Sequence, residues 1–485
     1  VNTHAEVQQR TLARAFQRAQ LTVDELWMRY FALGGEAGLF EVDAYLNGLG
    51  DLPGGQRDVL AHAVNERLDE LTWVDRASYS RTVREHDLRS RPLAALVHLL
   101  EGAELAPPDR LPALAEAAGR ALGVDIAIYL ADYDQRHLRP LETDRSTGNR
   151  SVLQIDDSSA GQAFRQIRTV SAQSGGRGWL WVPLLDNSER LGVLEIGVPD
   201  PAELHDPALR AQCRWISMLV GHLVVLLTQY GDSADLVRLP KSRTVASELV
   251  WSMLPPLTAG VDDFVVSGVL EPRDESSGDA FDYSLSETTA NLMILQTAGP
   301  GLNRGLIAAT AMAAYRGARL AGQGLDGQAD AIDEAIGEQF GGKGFVTAVL
   351  AEVDLVSRRL RYVNAGHTDP LIMRAGNAIQ PLLGGRRPPL GAGKGTLSIA
   401  EEMLRPDDWL IMTTDGITKA RNENGEVFGD SKLTDILRRE AAAGHPLPEA
   451  ARRLVHAALI HQNGAQCGDA TVLLARWANA SGQAL

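Results

Sequence analysis

Apolar residues recur at helical spacing through Leu26, Tyr30 and Phe31, and again through Leu60, Val64 and Leu68. That predicts helices from Thr11 to about Tyr79, punctuated by Gly34-Gly35 and Pro53-Gly54-Gly55. A helical connector from Arg91 to Leu100 leads on. From Pro107 the pattern changes to a helix (Leu111 to Leu122), an alternating strand (Asp125 to Leu130) and a short helix near Gly161 to Gln166. Two strands follow, Trp179 to Leu185 and Arg190 to Val198, joined by the turn Asp186-Asn187-Ser188, and a long helix from about Pro207 to Tyr230 closes the unit. Gly231 to Lys241 is polar and reads as a linker. Ser242 to Leu254 reads as a helix with Val245, Leu249 and Met253 on one face; Pro255-Pro256 ends it, because proline has no amide proton and restricts the residue before it.

The remainder is dense in strand signals: Phe264 to Leu270, Leu292 to Leu295, Val346 to Val353, Leu360 to Val363, Leu371 to Arg374, Leu397 to Met403, Trp409 to Thr413 and Thr471 to Arg476. Helices are expected at about Asn303 to Leu320, Gly327 to Phe340, Lys432 to Ala442 and Leu447 to His461. Two sheets with helix pairs outside make an α/β/β/α sandwich. The fold class is therefore α/β multidomain: a helical region over 1–85, a small α+β domain over 90–232, a linker and signalling helix over 233–257, and the sandwich over 258–478.

Composition narrows the function classes. A chain of 485 residues holds two to four domains at roughly 100–200 residues each. Its net charge of -15 disfavours binding to nucleic acid or anionic membranes, whose phosphates it would repel. Two cysteines, Cys213 and Cys467, point to a reducing compartment without a disulfide framework. Val1 to Glu6 is polar and no signal peptide is expected. The most apolar tract, Trp215 to Leu227, is short for a bilayer and contains His222, so it reads as a buried or dimer-forming helix. A cytoplasmic protein with no membrane span is expected.

The candidate chemistry lies in the C-terminal half. NLMILQTAGPGLNRGL (Asn291 to Leu306) reads as a buried strand, a glycine loop and a helix, an arrangement that commonly holds an anion or a metal, yet the loop contains no carboxylate, histidine or lysine. Around it stand SGDAFDY (Ser277 to Tyr283), QTAGPG (Gln296 to Gly301), FVTAVLAEVD (Phe345 to Asp354), VNAGH (Val363 to His367), TTDGITKARN (Thr413 to Asn422) and CGDAT (Cys467 to Thr471). In this order they resemble the metal-dependent protein phosphatases of the protein phosphatase 2C type, in the bacterial stage-II-sporulation-E-like branch, over about the last 235 residues. WLWVPLLDNSERLGVLEIGV with its closing helix resembles a GAF sensor domain, which implies a small-ligand pocket or a dimer interface.

The phosphatase resemblance implies two divalent ions, manganese or magnesium, which lower the pKa of a bridging water and aim it at phosphorus. Hard cations want anionic oxygen ligands. Asp279 matches the aspartate of the family's G-G-D motif, and Asp415 that of its T-D-G motif. The family's bridging aspartate opens a D-x-x-G-H-G motif; Gln296 stands in its place and Pro300 in the histidine's. In the closing D-D-x-T motif Gly468 replaces the first aspartate, the expected ligand, leaving Asp469 as a substitute, and Lys419 stands where a glutamate often follows T-D-G. A glutamine carbonyl carries no charge and bridges two ions poorly. The amides of Gly299 and Gly301 could instead suit an anionic ligand without metal.

Other features read more plainly. Gly299 to Gly305 lacks the βαβ context of a dinucleotide loop, and Gly391 to Gly395 lacks the helix of a P-loop. His367 is expected to be structural or a phosphate contact, Asp282 and Tyr283 either to brace Asp279 or to form an ordinary turn with a packed aromatic, Asp407-Asp408 a solvated turn, Arg386-Arg387 exposed arginines or a phosphoprotein contact, and Cys213 a packed thiol. Two functions follow. One is a pseudophosphatase that binds a phosphoprotein, a regulatory partner or a small ligand and needs no metal. The other is an active, GAF-regulated serine/threonine phosphatase using Mn2+ or Mg2+ on an anti-anti-sigma factor. A homodimer is expected in either case.

Overall fold

The computed structural model describes residues 3–71, 91–142, 150–239, 243–272, 278–297, 299, 301–374, 378–393, 398–463 and 468–477. The chain divides into two compact units, Val1–Ser90 and Arg91–Leu485. The first holds α1 (Thr3–Arg18), α2 (Val23–Ala32), α3 (Leu39–Leu46) and α4 (Gly54–Leu71). Leu12, Leu26, Tyr30, Val42, Leu60 and Val64 form its core, as helical spacing requires. Thr22 and Glu25 close a capping box at the start of α2. Phe31, expected on the apolar face, is exposed and stacks on Trp27.

The second unit opens with α5 (Arg91–Ala103) and α6 (Leu111–Leu122). Strands β1 (Asp125–Ala131), β2 (His137–Leu141) and β3 (Leu153–Gln154), helix α7 (Ser159–Gln166), and strands β4 (Val170–Ser174), β5 (Arg177–Asp186) and β6 (Glu189–Val198) follow. The six strands make one antiparallel sheet in the order β3-β2-β1-β6-β5-β4. α8 (Pro207–Thr228) packs on it through Cys213, Ile216, Val220 and Val224. By length and composition α8 could cross a bilayer, and it is longer than its apolar tract, because Asp206 and Pro207 start it about two turns earlier. Burial pushes the Cys213 thiol up to about 12, which makes it an inert packed group. The polar linker contains a further helix, α9 (Ser233–Arg238), and the signalling helix α10 is shorter than expected (Val245–Trp251).

The rest of the unit comprises β7 (Thr258–Val261), β8 (Phe264–Glu271), β9 (Asp279–Leu285), β10 (Thr289–Thr297), α11 (Leu302–Leu320), α12 (Leu325–Phe340), β11 (Val346–Asp354), β12 (Arg359–Ala365), β13 (Leu371–Met373) and β14 (Ile379–Pro381). It ends with β15 (Arg386–Arg387), β16 (Ala400–Met403), β17 (Trp409–Thr413), α13 (Asp415–Thr418), α14 (Gly429–Ala442), α15 (Leu447–His461) and β18 (Ala470–Trp477). One sheet runs β15-β12-β11-β10-β9, with β16 also on β12; the other runs β14-β13-β17-β18-β8-β7. α11 and α12 cover the first sheet, α14 and α15 the second, which is the expected sandwich. The sheets approach closely at Gly268, where a Cβ would stand 2.5 Å from the Phe281 ring.

Several local expectations fail for one reason, charge pairing that hydropathy does not display. Asp282 and Tyr283 lie in strand β9 rather than a turn, and Asp282 is held by Arg316 and Arg319, not by Asp279. Asp408 is buried rather than solvated, because Arg374 reaches it at 2.5 Å. Arg387 is buried against Asp330 and Asp333, and only Arg386 is exposed, paired with Asp369.

The tip of the β5–β6 hairpin inserts against the sandwich. Glu189 is buried there, and its carboxylate accepts the Thr258 N–H at 2.6 Å. Burial raises its pKa to about 7, against the pull of Arg238, the Thr258 amide and Arg190. The folded state thus holds a proton that the unfolded chain releases near 4.5, so this residue costs stability as pH rises from about 4.5 to 7. Glu189→Gln is expected to be neutral at pH 4 and stabilising at pH 8, read from urea midpoints.

Candidate functional site

Strand register assembles the site. Asp279, the first residue of β9, pairs with Gln296 near the end of β10, and Gln296 pairs with Thr347 of β11. The turn after β17 brings Thr414 and Asp415 from the other sheet, and the entry to β18 brings Gly468, Asp469 and Thr471. Two glycines make the convergence possible. A Cβ on Gly416 would stand 1.8 Å from the Asp469 carbonyl oxygen, and one on Gly278 would stand 2.5 Å from both Arg304 Nε and Thr297 Oγ1.

Asp279 is fully buried and accepts the Thr471 hydroxyl at 3.0 Å. Burial and then the Asp469 charge push its carboxyl well above the usual range, while Thr414, Thr471 and Arg304 oppose the rise. Asp469 is also fully buried, and its Oδ2 accepts the Gly278 N–H at 2.7 Å and the Arg304 guanidinium at 2.7 Å. Asp415 accepts the Gln296 amide at 2.6 Å and the Lys419 ammonium, one turn on, at 3.1 Å. His367 is buried, with Nδ1 3.0 Å from the Thr347 hydroxyl and its backbone N–H on Asn364. Burial lowers its pKa to about 4 although Asp415 pulls the other way, so the ring is neutral at physiological pH. Gly299 and Gly301, both at positive φ, lead into α11. Pro300 and Cys467 lie outside the described residues.

Most of the sequence candidates therefore converge: Asp279, Gln296, Asp415, Lys419, Gly468, Asp469 and His367 belong to one site. Arg304 escaped the sequence reading. Its signal was a cation on the first turn of the helix that follows a loop lacking its carboxylate.

The residues present do not fit two divalent cations. Among the described residues no group of three or more His, Cys, Asp or Glu side chains is placed to hold a metal ion. Asp469 is engaged by Arg304 in a buried ion pair, and Asp415 by Lys419 in a more exposed one, so two of the three carboxylates already face cations of the chain itself. A metal would have to displace them.

Comparison with known proteins agrees with the motif order. Residues 286–478 match the family model of stage II sporulation protein E (SpoIIE). Protein IcfG of Synechocystis sp. (strain ATCC 27184 / PCC 6803 / Kazusa) is 32% identical over 94 residues, which are 19% of this chain and 15% of that protein. This chain thus spans only a small part of the curated relative it matches. Among solved structures, the SiaA-PP2C domain of Pseudomonas aeruginosa is 26% identical with a TM-score of 0.41, covering 48% of this chain and 94% of that one. The RsbU and RsbW domains of Rv1364c from Mycobacterium tuberculosis are 21% identical with a TM-score of 0.41, covering 46% and 62%. The family-model match is thus a likeness of residues 286–478, about two fifths of the chain, to the SpoIIE family.

Proposed function

We propose that this chain is a signalling regulator whose SpoIIE-like domain binds a phosphoprotein, a regulatory protein or a small ligand without turnover, as a pseudophosphatase. The observation that carries the reading is internal neutralisation: Arg304 on Asp469 and Lys419 on Asp415, with uncharged Gln296 between the strands where the family bridges its metals. By family resemblance the partner is an anti-anti-sigma factor. The antiparallel sheet β3-β2-β1-β6-β5-β4, with α5, α6 and α8 on one face and α7 on the other, supports the GAF-like reading of the preceding domain. The exposed Trp215, Met218 and Leu226 on α8 support a homodimer, and the acidic charge and scarce cysteines a cytoplasmic setting.

The alternative is an active Mn2+- or Mg2+-dependent serine/threonine phosphatase, with Asp279 and Asp415 as the surviving ligands. Turnover of an aryl phosphate and of a phosphorylated anti-anti-sigma protein decides between the two. The natural chain is expected to stay at background with manganese present. Metal-dependent turnover above background would establish the alternative instead.

A further inference from the structure

The tip of the β5–β6 hairpin, buried at Ser188, Glu189 and Arg190, meets α15 in a network of charges that the phosphatase-like site does not use. Arg190 donates to Glu449 at 3.3 Å, to the Pro448 carbonyl at 3.0 Å and to Gln135 at 2.9 Å, and its guanidinium lies over the Phe164 ring. Glu449, fully buried, also accepts two bonds from Arg452 at 2.9 Å and one from Arg453 at 2.8 Å. Arg452, itself buried, reaches back to Asp156 at 2.5 Å. His456 contacts the Asp134 carbonyl oxygen at 3.1 Å. Glu449, Arg452 and His456 are spaced three and four apart, so one face of α15 is given over to the sheet domain.

The opposite face is apolar. Ala450, Ala451, Leu454, Val455 and Ala458 pack with β8 and β18 in the core of the second sheet. At its far end, about 22 Å away at 1.5 Å per residue, α15 meets the site. There the buried Gln462 donates its amide to the carbonyl oxygen of Gly416, the residue after Asp415, at 3.3 Å. One rigid helix therefore touches the sensor-like hairpin at its first turn and the Asp415 turn just past its last.

We propose that α15 is the transmission element of this protein: the Arg190–Glu449–Arg452–Asp156 clamp fixes its position, and Gln462 passes that position to the turn carrying Asp415 and Lys419. A change in the sheet domain that shifts the hairpin loosens or tightens the site. Buried charge networks of this kind set one arrangement against others, because a displaced guanidinium or carboxylate finds no replacement partner. The inference holds whether the site turns over a phosphoester or only binds one.

The test uses the full chain and amide hydrogen exchange. Arg190→Met is expected to speed exchange of the amides of Ile417, Lys419 and Ala420 by at least about tenfold while leaving β10 and β11 unchanged, since local opening is resolved from global unfolding in this way. Gln462→Met cuts the far contact without touching the clamp. It should produce the same acceleration, and the double variant should add little, because two steps of one path are not additive. Arg190→Lys should restore part of the protection. A uniform rise in exchange across both sheets would overturn the proposal, as would additive effects of the two substitutions or an unchanged Asp415 turn in Arg190→Met.

Discussion

The chain carrying Gln296→Asp, Gly468→Asp and Arg304→Ala together is expected to turn over an aryl phosphate with manganese at least about 100-fold faster than the natural chain, whereas Gln296→Asp with Gly468→Asp alone recovers only a small part of that gain. Loss of groups that merely support metal ligands costs about 10–100-fold in affinity or activity, so restoring the ligands themselves is worth at least as much. The space exists: the atom nearest to a Cβ on Gly468 is the Gly416 Cα at 3.8 Å, an ordinary contact. What two new aspartates leave in place is Arg304, whose positive charge sits 2.7 Å from Asp469 and repels any cation brought there. Arg304→Lys in the restored background keeps that charge and should stay nearly silent. Lys419→Glu added to the triple variant should raise turnover further, by freeing Asp415. Stability provides an independent reading. Arg304→Ala alone leaves Asp469 buried beside Asp279 without its cation, a loss of about 3–5 kcal/mol for a broken buried pair. Manganese should recover that loss in the triple variant and do nothing for the natural chain. If the double variant already matches the triple, Arg304 is not the obstacle.

The reasons some of this was legible in the sequence, and some not, are physical. Strands buried on both faces, such as β10 and β11, show as unbroken apolar runs, and α11, α12 and α15 show by their 3.6-residue spacing. Short strands do not. β3 and β15 have two residues each, and β4 is Val-Ser-Ala-Gln-Ser, whose strand conformation comes from pairing with β5 rather than from its own pattern. β9 was hidden for a different reason: it carries Asp279 on one face and Asp282 on the other, and both are buried because partners arrive from Thr471, Arg316 and Arg319, far along the chain. The same holds at the site. Motif order located Asp279, Gln296, Asp415 and Gly468, but no local pattern says that Arg304 turns onto Asp469, some 165 residues away in sequence. Hydropathy reports burial of apolar groups, and a buried ion pair is invisible to it until both partners are placed.

Glu449 is the position where that invisibility matters most for stability. Burial alone would raise its pKa, yet Arg452, Arg190 and Arg453 hold it at about 2, down from an ordinary value of 4.5. A carboxyl with a depressed folded-state pKa adds stability that is fully present above about 4.5 and disappears as pH falls toward 2. The shift corresponds to about 3 kcal/mol at 1.36 kcal/mol per unit, in line with the roughly 3–5 kcal/mol lost when one member of a buried pair is removed. Glu449→Ala is therefore expected to lower the urea midpoint strongly at pH 7 and much less at pH 2, where the natural chain has lost the same contribution. Removing Arg190 as well should cost less than the sum of the two single changes, since the second removal takes away a charge that the first left stranded. A Glu449→Ala chain as stable as the natural one at pH 7 would mean that the clamp's charges find other partners. In that case α15 would not be held by the sheet domain, and the path from the hairpin to Asp415 would have no anchor.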